Sequence, residues 1–170
     1  MFRIKQIVAL IFVLVSCVSC DQATKSMAQT HLSATQSLSF LDGSVLFHYA
    51  ENSGAFLSLG AGLPDVVRQW IFVFMVAALL GGMLLFVIKS ARQLSTGMLI
   101  AFVLLFAGGV SNLIDRVLNE GRVVDFVSIG IGPLRTGIFN VADVYIMAGV
   151  FLLVLLSIFE KRPETRTWPE

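Results

Sequence analysis

Two aspartates carry the residue types best suited to chemistry. Asp125 lies in Val123-Val124-Asp125-Phe126, and Asp143 in Phe139-Asn140-Val141-Ala142-Asp143, where a long apolar run begins. An ionisable group at membrane depth is costly to keep, so it generally marks a functional site. Two carboxylates brought together can share one proton and activate water. That is the chemistry of an aspartic protease, here built into a membrane, and it needs neither a metal nor another cofactor.

The elements that position them are apolar. Of 170 residues, 56% are hydrophobic, above the roughly 45–50% of a soluble domain. The excess falls in four blocks, over about 7–23, 70–88, 98–113 and 141–159. A spanning helix needs roughly 17–25 residues. The pattern predicts a membrane all-α fold of four transmembrane helices with a small β-sheet-containing extracytoplasmic subdomain. One integral membrane domain is expected over residues 1–170. The net charge of +1 leaves no basic stripe for nucleic acid.

Lys and Arg set the expected orientation. Arg3 and Lys5 precede the first block, Lys89 and Arg92 link the second and third, and Lys161, Arg162 and Arg166 follow the fourth. With four spans these fall on one side, so both termini are expected to be cytoplasmic. Segments 24–65 and 114–140 then face the periplasmic or extracellular side. Arg116, Arg122 and Arg135 break the rule there, which suggests functional or structural pairing.

Within the first outer segment, Ser37–Leu41 and Ser44–Tyr49 are expected strands around Asp42-Gly43, a hairpin signal. Leu63 and Pro64 are expected to open a short amphipathic helix through Gln69. Val123–Ile131 is a further strand, ended by Gly132-Pro133. His31 and His48 are expected at the surface or in loops. Cys17 and Cys20 share a helix face and are expected to be buried and inert. Gly108 and Gly109 are expected to allow close helix approach or to admit a lipid chain.

Polar clusters recur at the outer ends of the spans: Asp21-Gln22-Ala23-Thr24-Lys25, Asn52-Ser53-Gly54-Ala55-Phe56, Asn112-Leu113-Ile114-Asp115-Arg116 and the two Asp motifs. In their order and spacing, from Asp21 to about Phe159, they resemble the lipoprotein signal peptidases, bacterial membrane aspartic proteases also called type II signal peptidases. The resemblance implies a catalytic pair at Asp125 and Asp143. It implies supporting or substrate-binding residues at Asp21, Lys25, Asn52, Gly54, Asn112, Asp115, Arg116 and Asn140. The implied substrate is a prolipoprotein carrying a diacylglyceryl group on its lipobox cysteine, cut just before that cysteine. Membrane lipids are the other expected partner, and a monomer is expected. The implied location is the bacterial cytoplasmic (inner) membrane, with the active site near the periplasmic face. Three positions depart from the family's common pattern: Ser111 stands where Gly is frequent, Val144 where Ser is, and Phe56 follows a single Ala55.

Other readings compete for each residue. Asp143 also suits a helix N-terminus, with Asn140 as its cap. Asp125 could be an exposed acid. Asp115 competes to be the second carboxylate, although pairing with Arg116 would lower its pKa and favour a structural role. Asp21 and Lys25 could be only a helical ion pair, and Asn112 only a cap. Leu14-Val15-Ser16-Cys17 resembles a lipobox, but three further apolar blocks favour an uncleaved first span. A proton-coupled transporter would put carboxylates near the bilayer middle and show an internal repeat. A non-catalytic scaffold is the third class.

Overall fold

Long apolar runs give helices because a bilayer offers the backbone no hydrogen-bond partner, so each N–H and C=O must be satisfied within its own segment. The computed structural model describes residues 4–33, 37–53 and 64–159. Its helices are α1 Ile4–His31, α2 Asp65–Ser90, α3 Thr96–Leu118 and α4 Val141–Phe159. Each is long and apolar enough to cross a membrane. Large apolar side chains such as Phe12, Phe74, Leu85, Met147 and Phe151 are exposed along them. That is the surface of a multi-pass membrane protein, whose solvent there is lipid.

The helix α3 is central and packs against α1, α2 and α4. Its buried residues change along its length from Leu99, Ala101, Ala107 and Gly108 to Ser111, Asn112 and Asp115. Gly108 sets the α3–α4 approach: a Cβ there would overlap the Ala142 carbonyl and come within 2.7 Å of Ile146 Cγ1. Gly109 faces α2, where an added Cβ would come within 2.7 Å of Leu80 Cδ2, the flexible end of a side chain. Close helix approach is therefore the use made of Gly108.

Four antiparallel strands form one sheet in the order β1 Leu38–Phe40, β2 Val45–Asn52, β3 Val123–Ile131 and β4 Leu134–Arg135. Asp42 and Gly43 have φ of +53° and +85°, as a type I′ hairpin turn requires. The β2–β3 pairing joins segments on either side of α2 and α3 and sets Asn52 opposite Val123. Past the second hairpin, Phe139 returns to β3, donating to the Val127 carbonyl at 2.8 Å and accepting from the Val127 N–H at 2.9 Å. This return brings the start of α4 beside Asp125.

Several expectations need correction. The first and third helices run beyond their apolar blocks, to His31 and Leu118. Their polar outer turns remain helical because those turns bind one another and the sheet. The helix expected to open at Leu63 is the first part of a continuous α2, and Leu63 itself lies outside the described residues. Cys20 is exposed and Cys17 half-buried, both as free thiols. His48 lies within β2. Two of the arginines that break the charge rule are paired: Arg122 with Glu51 at 2.6 Å, and Arg135 with the Gly43 carbonyl at 2.7 Å.

Candidate active site

Asn140 precedes α4 and forms a reciprocal cap with Asp143. The Asp143 N–H donates to Asn140 Oδ1 at 3.0 Å, and the Asn140 N–H donates to Asp143 Oδ2 at 3.1 Å. Such a box satisfies two backbone donors at a helix start and fixes both side chains. The free end of the Asn140 amide then donates to Asp125 Oδ1 at 2.7 Å. One buried asparagine thus holds both candidate carboxylates. Asn112 donates to the remaining Asp143 oxygen, Oδ1, at 3.0 Å, and Asn52 donates to Asp125 Oδ2 at 3.0 Å.

Behind this pair lies a buried ion cluster. Lys25 Nζ contacts Asp21 Oδ2 at 2.7 Å, Asp115 Oδ2 at 2.9 Å and Asn112 Oδ1 at 2.8 Å. An ammonium has three protons, so these three acceptors use its donor capacity. The contact with Asn112 Oδ1 also fixes which end of that amide faces Asp143. Lys25 is therefore both the helical ion pair and the orienting group that its spacing allowed. The counter-charge of Asp115 is Lys25, whereas Arg116 donates to the Asn112 carbonyl at 3.2 Å. Asp115 accepts from Gln22 Nε2 at 2.8 Å, the Val124 N–H at 3.1 Å and Lys25 Nζ at 2.9 Å, rather than from Arg116.

Each candidate carboxylate also follows a residue whose N–H is held by a buried acid. Val124, before Asp125, donates to Asp115 Oδ2, and Ala142, before Asp143, donates to Asp21 Oδ1 at 2.7 Å. Asp21 and Asp115 are thus backbone clamps on α4 and β3, respectively. Burial, aided by the negative charge of Asp143, pushes the Asp125 carboxyl up to about 6, against the opposing hydrogen bonds from Asn52 and Asn140 and the charge of Lys25. A carboxyl held there keeps its proton to higher pH than an ordinary aspartate.

Of the residues singled out in the sequence, Asp21, Lys25, Asn52, Asn112, Asp115, Asp125, Asn140 and Asp143 form one connected network, with Arg116 at its edge. Gly54 and Phe56 lie outside the described residues. Gln22 and Ser111 were not among the expected site residues, yet both join the network. Their signal was positional: Gln22 adjoins Asp21, and Ser111 lies one helical turn before Asp115. Among the described residues, no group of three or more His, Cys, Asp or Glu side chains is placed to hold a metal ion.

Comparison with known proteins gives this network a family. Residues 12–159 match the family model described as signal peptidase (SPase) II. A lipoprotein signal peptidase of Leifsonia xyli subsp. xyli is 38% identical over 144 residues, covering 81% of this chain and 61% of that protein. One from Desulforapulum autotrophicum is 34% identical, covering 86% of this chain and 90% of that protein. A solved bacterial membrane enzyme superposes with a TM-score of 0.74 at 28% identity, covering 95% of this chain and 94% of that one. The chain belongs to the signal peptidase II family, the lipoprotein signal peptidases.

Proposed function

We propose that the chain is an aspartic endopeptidase in which Asp125 and Asp143 form the catalytic pair. Family membership supplies the reaction, removal of signal peptides from prolipoproteins. The substrate is a diacylglyceryl-modified prolipoprotein, cut just before the modified cysteine. The observation that carries the reading is the bonding of Asn140 to both carboxylates.

Asp143, ionised and held by Asn112 and Asn140, takes a proton from water. Asp125, protonated, donates its proton to the scissile carbonyl as water oxygen adds to the carbon. The tetrahedral diol then collapses: Asp125 regains a proton from a diol hydroxyl, and Asp143 passes its proton to the leaving nitrogen. The pair titrates as a unit, so these are roles within a shared state. Asp21, Lys25, Asp115 and Arg116 support the pair, and Gly54 contributes to substrate binding. The protein works as a single-domain monomer in the inner membrane, with cytoplasmic termini and the site near the periplasmic face. The bilayer and the surfaces between helices align the signal helix and lipid chains.

The test is cleavage of a diacylglyceryl-modified lipobox peptide by purified wild type, Asp125→Asn and Asp143→Asn. Wild type alone is expected to cut, with each variant reduced at least about 10³-fold, a scale comparable to losing an activating group in other proteases. Retained cleavage by a folded variant would remove that aspartate from the pair.

A further inference from the structure

The two backbone clamps, Asp21 on α4 and Asp115 on β3, are joined twice. Lys25 is the charged link. The second link is neutral and runs through Gln22 and Ser111. Ser111 Oγ donates to Asp21 Oδ2 at 2.7 Å and accepts from Gln22 Nε2 at 3.0 Å. Gln22 Nε2 also donates to Asp115 Oδ1 at 2.8 Å and approaches the Ser111 carbonyl at 3.3 Å. Ser111 is fully buried, so its hydroxyl depends on these partners. We infer that Gln22 and Ser111 are positioning residues that fix the separation of Asp125 and Asp143 by locking the two clamps to each other.

The two links hold the clamps differently. Lys25 reaches Asp21 and Asp115 through the single oxygen Oδ2 of each. Without the neutral link, Asp115 is anchored only at Oδ2, which takes both Lys25 and the Val124 N–H, while Asp21 keeps Lys25 at Oδ2 and the Ala142 N–H at Oδ1. Gln22 holds the other oxygen of Asp115, while Ser111 adds a second donor to Asp21 Oδ2. Rotation of either clamp would shift Val124 or Ala142, and with it the adjacent aspartate. A displacement of about 1 Å in a reacting group can cost on the order of 10²-fold in rate.

The inference rests on the proposed catalytic pair, and its test separates the two. Ser111→Ala, Gln22→Met and the double variant are compared with wild type for kcat and KM on the lipobox peptide. Amide hydrogen exchange at Val124 and Ala142 is measured without substrate. Each single variant is expected to lower kcat about tenfold with KM unchanged, and to speed exchange at both amides. The double variant is expected to be no worse than the poorer single one, because one link is being broken. Gln22 is half-exposed, so Gln22→Met carries the test if Ser111→Ala does not fold. Unchanged exchange overturns the inference whether or not the protein cleaves. Additive losses, or a loss in KM alone, also overturn it.

Discussion

Asn140 and Asp143 bind each other twice, side chain to backbone in both directions, at 3.0 and 3.1 Å. Helix capping and carboxylate positioning are therefore one arrangement, so the cap that starts α4 also orients Asp143.

Asn140 substitutions separate those two duties. Asn140→Asp keeps a capping oxygen but replaces the donor to Asp125 with another acid. It is expected to keep the cap, to melt below wild type because a buried acid replaces a donor, and to lose at least about 100-fold in kcat. Asn140→Ala loses the cap as well, with about 1–2 kcal/mol of stability. Thermal melts beside cleavage assays check both, and an active Asn140→Asp enzyme would contradict the assignment.

Activity is expected to fall as pH rises through about 6, where the Asp125 carboxyl loses its proton. The native carboxyl lies above its ordinary value of 3.8, so the folded protein binds more protons than the unfolded chain between the two values. Its stability contribution is greatest below the lower value and declines as pH rises through the upper one, by at most about 1.4 kcal/mol per pH unit. Asp125→Asn should flatten that slope in melts from about pH 3 to 8, a range that brackets both values. Asn52→Ala removes a donor to the ionised form and should move the alkaline limb upward. A rate that climbs between about pH 6 and 8 would assign the acid role elsewhere.

Lys25→Met strands Asp21 and Asp115 as buried charges without their shared cation. The expected cost is about 3–5 kcal/mol. Lys25→Arg keeps the charge but offers a planar fork in place of three diverging donors, so it should restore little activity. Wild-type melting in Lys25→Met would show that the acids are not ionised in the folded protein.

Gly108→Val places side-chain carbon where the Ala142 carbonyl lies, so α4 must move away from α3. Cleavage is expected to fall at least about 100-fold, the scale of a misplaced reacting group. Equal rates for wild type and a folded Gly108→Val would show that the site tolerates a displaced α4.

The sequence alone was enough to determine the four spans, the Asp42-Gly43 hairpin and β3, because hydropathy and turn preferences act over neighbouring residues. It also pointed to Asp125 and Asp143, since acids beside apolar runs are conspicuous. Only the tertiary structure decided the partner of each polar group. Arg116 adjoins Asp115 in sequence, yet Lys25, 90 positions away, supplies the cation. Gln22 and Ser111 acquire their roles from the packing of α1 against α3, and Asn140 reaches Asp125 only because Phe139 pairs with β3. Hydrogen bonds are short and directional, so their partners depend on where distant segments meet, which local pattern does not encode.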